Sequence, residues 1–316
     1  MPTLPVMTAV EAPATSDRRM TSAADRPRSR LRRFLDLTLV RLVVAVFATA
    51  LAGGLATAFV GEAWGRRFHE GWPEATGALA SLAAYAAYVR VIERRRPGEL
   101  GGRGAAAELV AGLVAGGAMV VAIIAALWMA GVWSLVAVVP DTRMLAIGFA
   151  QMTFVAVLEE LLSRAIVLRL AERALGSWPA LALSSLAFGL AHLPGNSKAG
   201  ALSFAIVVVA GAFFGAAYFV TRRLWLCIGL HAGWNFTLGH VFAIAVSGHP
   251  ATPGAVTGRL AGPDWLTGGG YGLEASLLTL FALLLVGALL LRRAVARGHL
   301  HGRTPRDAPP RGAARC

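Results

Sequence analysis

Val157-Leu158-Glu159-Glu160-Leu161-Leu162-Ser163-Arg164 sets two adjacent carboxylates and a guanidinium inside a run that is otherwise apolar. Met144 to Val157 upstream and Ala165 to Leu168 downstream are almost wholly hydrophobic. An ionisable side chain at bilayer depth costs about 2.5–3.5 kcal/mol on insertion scales, so such groups face a bundle interior and mark function or a compensated pair. Glu160 and Arg164, spaced i, i+4, can form a structural pair on one helical face. That pairing leaves Glu159 without a partner, and Glu159 therefore reads as functional.

Composition supports the membrane reading. The 316-residue chain is 56% hydrophobic and only 15% charged, against about 25% charged in ordinary soluble domains. The expected fold class is all-α, a polytopic bundle of about eight transmembrane helices with both termini cytoplasmic. The expected spans are 37–60, 75–92, 109–132, 144–170, 179–192, 199–220, 224–246 and 272–291. A disordered basic tail is expected over 1–36, the membrane domain over 37–291, and a second basic tail over 292–316. Ser247 to Gly270 reads as a Gly- and Pro-rich loop, and Trp128 and Trp133 suit an interfacial belt. Gly211 and Gly215 offer a face for close helix contact.

The net charge of +13 would suggest nucleic acid in a soluble protein. Here it reports orientation. All basic residues but Lys198 are arginine, and a cytoplasmic N-terminus leaves only Arg66, Arg67, Arg143, Lys198 and Arg259 outside. This is the positive-inside bias, and no nucleic-acid partner is expected. The arginine preference fits a GC-rich bacterial gene, hence an integral, multi-pass protein of a bacterial plasma membrane. Cys227 in an apolar span and Cys316 at the end give no disulfide framework and no metal-ligand spacing.

The chemistry must come from polar side chains within spans. Besides Glu159, Glu160 and Arg164 these are His192, the pair His231 and Asn235, and His240. His231 and Asn235 share one helical face at i, i+4. Around a turn near Gly176-Ser177, Glu159 and His192 fall at similar depth at about 1.5 Å per residue. His231, only eight residues beyond Arg223, falls shallower unless the helices are offset. His240 reads as structural or interfacial, and Ser163, Ser184, Ser185 and Ser203 as packing residues that bond their own backbone.

Glu159-Glu160-x-x-x-Arg164, Phe188-x-x-x-His192 and His231-x-x-x-Asn235, in this order on separate spans, resemble the three-part signature of the CAAX protease and bacteriocin-processing family. That family comprises the type II CAAX prenyl endopeptidases and their bacterial relatives, and the resemblance covers about 140–245. The family often carries an aromatic before the arginine and a glycine after it, where this chain has Ser163 and Ala165. The resemblance implies an intramembrane endopeptidase acting on a membrane-bound, possibly prenylated, peptide or protein. In it Glu159 would activate water and His192 hold that water. His231 and Asn235 would stabilise the oxyanion, and Glu160 and Arg164 shape the site. Two histidines and a glutamate also resemble a zinc set, Glu159, His192 and His231. No His-Glu-x-x-His segment is present, and the family looks compatible with metal-free, glutamate-activated water. Two other classes fit parts of the pattern. One is a non-enzymatic membrane scaffold or bacteriocin immunity protein. The other is a proton-coupled transporter, which the lack of inverted repeats disfavours.

Overall fold

The computed structural model describes residues 37–64, 71–194 and 198–302. The tail expected over 1–36, the part of the second tail beyond 302, Arg66, Arg67 and Cys316 lie outside them. Each expected apolar segment forms a helix: α1 Thr38–Trp64, α2 Trp72–Val91, α3 Ala105–Met129, α4 Thr142–Glu160, α6 Ser177–Ala191, α7 Ala201–Thr221, α8 Trp225–Phe236 and α10 Leu277–Ala296. A π-helical segment, Leu161–Leu168, runs from α4 into the short α5, Arg169–Leu175, so that Thr142–Leu175 is one continuous 34-residue rod. A second π segment, Thr237–Val241, follows α8.

Among the described residues five helices are long and apolar enough to cross a membrane: 38–63, 105–129, 142–175, 201–221 and 277–296. The chain is thus mostly helical and an integral, multi-pass membrane protein. Its polarity is inverted relative to a soluble domain. Phe47, Leu51 and Phe59 on α1 and Phe281, Leu285 and Leu289 on α10 point outward. Glu160, Arg164, His231 and Asn235 are buried. Lipid rather than water is the solvent such a surface matches.

The architecture is not purely helical. Trp133–Val138 (β1) pairs antiparallel with Val256–Leu260 (β2), Trp133 opposite Leu260, with an irregularity between Leu135 and Ala137. The loop expected over 247–270 therefore carries a strand and a short helix, α9, Asp264–Thr267. The apolar, β-branched composition of β1 favours a pleated ribbon once a partner strand returns. Trp133 is buried against Phe242 in a T-shaped ring contact, whereas Trp128 is exposed. The last helix starts later than expected, at Leu277 behind the Ser276 N-cap, and runs to Ala296. Residues beyond it pack down: Ser177 N–H donates to the His301 carbonyl at 2.9 Å, and Arg297 reaches the Val220 carbonyl at 2.8 Å.

Glycines set the closest helix contacts. On α8, Gly229 lies against Gly112 and Leu113 of α3, where a Cβ would come within 2.9 Å of both backbones. Gly233 of α8 meets Leu113 equally closely, and Gly116 of α3 meets Leu230 and Trp234. Gly211 of α7 abuts the Ser185 backbone of α6, the close contact its spacing suggested.

Candidate active site

The signature residues converge at the junction of α4, α6 and α8. Adjacent helical positions point about 100° apart, so Glu159 and Glu160 face different neighbours. Glu160 points inward and is fully buried. Its Oε1 accepts from Arg164 Nη1 at 3.1 Å and from His231 Nδ1 at 2.9 Å. Arg164 also donates to the Gly211 carbonyl at 2.9 Å, and its guanidinium lies over the rings of Phe188 (4.6 Å) and Phe214 (5.2 Å). The i, i+4 pair expected from sequence is therefore present, and it is tied to the histidine of a third helix.

Glu159 faces a cavity of about 470 Å³, which it lines with His192, Asn235, Gln151, His240 and Ser247. Its Oε2 lies 3.8 Å from His192 Nε2 and 3.8 Å from His231 Nε2. At the other ring nitrogen, His192 donates from Nδ1 to the Phe188 carbonyl at 2.8 Å, and His231 donates from Nδ1 to Glu160. Both rings are thus oriented to present Nε2 to one carboxylate oxygen. A 3.8 Å separation exceeds a direct hydrogen bond and suits one small oxygen group between the partners. Asn235 lines the same cavity wall one helical turn from His231.

Zinc ligands at about 2.0–2.2 Å in a tetrahedral set stand about 3.3–3.5 Å apart. The donors of Glu159, His192 and His231 are of the right chemical type, but the carboxylate oxygen stands 3.8 Å from each ring nitrogen, wider than that set. Among the described residues no group of three His, Cys, Asp or Glu side chains forms a metal-holding set. The zinc set considered from sequence does not fit as placed, and no step is derived through a metal.

His231 meets Glu159 and Glu160 despite its shallow position in sequence. Ser185 bonds the Leu181 carbonyl of its own helix, as expected, whereas Ser184 reaches across to the Ser163 carbonyl of the π segment; Cys227 is a buried core thiol. His240 is buried with neither ring nitrogen hydrogen-bonded, and it packs against Gly148.

Sequence reasoning missed two features. One is the π segment at Leu161–Leu168. Carbonyls within it are taken up by side chains: Ala165 O accepts from Arg169 Nε at 2.7 Å and from Tyr85 at 3.2 Å. Such bulges recur at functional sites. The other is Glu274, which lines a smaller cavity with His192, His231 and Asn235. An acid at the mouth of an apolar span was the available signal.

No curated protein and no solved structure matches the chain. The family model described as "Type II CAAX prenyl endopeptidase Rce1-like" matches residues 141–237, a stretch that begins at the cap of α4 and ends just past α8. All seven signature residues fall within it, and over this stretch the chain is similar to the type II CAAX prenyl endopeptidases, the resemblance its three motifs carry.

Proposed function

We propose that the protein is an intramembrane endopeptidase that hydrolyses a peptide bond of a membrane-bound, CAAX-type peptide through glutamate-activated water. The observation that carries this reading is the pair of Nε2 atoms, each 3.8 Å from Glu159 Oε2 at the wall of a cavity of about 470 Å³. Water held there by His192 Nε2 gives a proton to the Glu159 carboxylate as its oxygen attacks the scissile carbonyl carbon. The tetrahedral oxyanion accepts hydrogen bonds from the Asn235 amide and from His231 Nε2–H. With Nδ1–H bound to Glu160, His231 donates from Nε2 while protonated on both nitrogens. The C–N bond then breaks, and the proton on Glu159 passes to the leaving amine. The products are a new carboxylate and a new amino terminus. Glu160 and Arg164 do not touch the reacting atoms; they hold His231 and the Phe188–Phe214 wall.

In this reading eight helices cross the bilayer with both termini in the cytoplasm, and the β-ribbon and residues 242–275 lie on the opposite side. The arginine distribution supports that orientation. Of the remaining long helices, α2 packs on α1, α6 on α7 and α8 on α3.

The test is cleavage of peptides ending in Cys-aliphatic-aliphatic-X, with and without a farnesyl group, by protein reconstituted in liposomes. Glu159→Gln should lower the rate by about 10²–10⁴-fold, the usual worth of a general base. Full activity in that variant would end the mechanism. A scaffold reading predicts instead no cleavage by wild type at all.

A further inference from the structure

Glu274 lies outside the family-matched stretch and outside every signature motif, yet it lines the small cavity behind His192, His231 and Asn235. It stands on a 3-10 turn, Leu273–Ala275, presented by Gly268, Gly269 and Gly272 at positive φ. A Cβ at Gly272 would lie 2.7 Å from the Ala245 carbonyl oxygen, so glycine is what lets this turn close on the segment after α8. Glu274 Oε1 accepts from Trp234 Nε1 at 3.0 Å, and Oε2 accepts from the Ser247 backbone N–H. Trp234 is the residue before Asn235, and Ser247 shares the wall of the main cavity with Asn235. Two donors on two oxygens need a carboxyl group. A glutamine would serve one donor and set its own NH₂ against the other. Burial pushes the Glu274 carboxyl up from its ordinary range, against the pull of the Ser247 and Trp234 donors.

We propose that Glu274 is a positioning residue of this active site: it bridges Trp234 to Ser247 and so fixes the Asn235 turn of α8 against the cavity wall at 242–247. The inference rests on the hydrolytic reading, in which the Asn235 amide must meet the oxyanion. It places a determinant of the reaction in the loop before α10, a part of the chain the signature does not reach.

The experiment compares wild type, Glu274→Gln, Glu274→Asp, Trp234→Phe and the Trp234→Phe/Glu274→Gln double variant in the same liposomes. Hydrogen–deuterium exchange is read over 242–252, and kcat and KM are read with the farnesylated peptide. Glu274→Gln should exchange about tenfold faster over 242–252 with 201–221 unchanged, and should lose about tenfold in kcat with KM within about threefold. Glu274→Asp, which keeps two acceptors, should recover part of both. The double variant should lose no more than Glu274→Gln alone, because both changes break one bridge. Wild-type exchange over 242–252 in Glu274→Gln overturns the proposal. Faster exchange spread through 201–221, or faster local exchange with wild-type kcat, overturns it equally. If wild type cleaves no peptide, the proteolytic reading fails on that control, and the exchange comparison still decides whether Glu274 holds the segment.

Discussion

Glu160 does two jobs at one oxygen, and a pair of variants separates them. Glu160→Ala removes the partner of Arg164, a side chain that is fully buried and whose remaining contacts are the Gly211 carbonyl and two aromatic faces. Removing one member of a buried pair costs about 3–5 kcal/mol because the other charge is stranded. That is a large share of the roughly 5–15 kcal/mol that holds a typical domain. Glu160→Ala should therefore unfold at a markedly lower temperature in detergent, followed by far-UV circular dichroism. The double variant Glu160→Leu/Arg164→Met removes both charges and refills the space. Such replacements are often neutral or stabilising, so the melting temperature should return close to wild type. Activity should not return with it. His231 has lost the acceptor that holds its proton on Nδ1 and aims Nε2 at Glu159. A carboxylate that orients a histidine and stabilises its imidazolium is worth up to about 10⁴-fold in triad enzymes, so a loss of about 10²-fold or more is expected. A double variant with wild-type cleavage would refute the role given to Glu160. A Glu160→Ala protein as stable as wild type would refute the stranded-charge argument.

Three further outcomes follow from other parts of the molecule. Burial alone would raise the Glu93 carboxyl, but Arg169 and Arg95 overcome it and hold the pKa at about 2 against an ordinary 4.5. A depressed acid stabilises the fold above its unfolded pKa and stops doing so as pH falls through the folded one. The melting temperature should thus drop between about pH 4.5 and 2, and Glu93→Gln should be less stable at neutral pH with a flatter acid limb; an unchanged acid limb would refute the pairing. Gly229→Ala puts a methyl within 2.9 Å of Gly112 Cα and Leu113 N, and should depress both melting temperature and cleavage, whereas Gly54→Ala, with nothing within 4 Å, should change neither. Chelator treatment should leave cleavage intact, and stoichiometric zinc in protein purified without added metal would overturn that expectation.

Much of the site was legible because membranes make polar residues conspicuous. An acid, a histidine or an asparagine within an apolar run stands out, and their helical spacing alone paired Glu160 with Arg164 and His231 with Asn235. Other parts were illegible for equally physical reasons. Helix existence follows from apolar runs, but a π turn changes hydrogen-bond partners without changing composition, so nothing in Leu161–Leu168 announces it. The β-ribbon joins residues more than a hundred positions apart, and neither Trp133–Val138 nor Val256–Leu260 declares its partner. Gly112 and Gly116 on α3 and Gly229 and Gly233 on α8 are two four-residue repeats that interlock. Read singly, each is only a small-residue face.

The depth of His231 shows how a sequence count and a fold can both be right. Glu159 stands 17 residues from Gly176 and His231 eight from Arg223, a difference of about 13 Å at 1.5 Å per residue. The two meet only if α8 begins well inside the level where α5 ends. What holds it there is the connection between α2 and α3. The Glu99 carbonyl accepts the Leu224 N–H at 3.0 Å, and the Gly101 carbonyl accepts Trp225 Nε1 at 3.0 Å, so the start of α8 rests on this loop. The loop is itself charged, and its Glu93 and Glu99 carboxylates are buried. Arg95 bonds Glu93 at 2.5 Å and Glu99 at 2.8 and 2.5 Å, while Arg169 of α5 bonds Glu93 at 2.6 and 3.0 Å and the Ala165 carbonyl at 2.7 Å. One cluster therefore grips the π segment of the helix that carries Glu159 and Glu160, and the loop it anchors supports the helix that carries His231 and Asn235. Apolar packing alone would let two such helices slide along each other. A buried ionic network resists that slide because each displacement strands a charge, and the 3.8 Å approach of Glu159 to His231 rests on a loop that lines neither cavity.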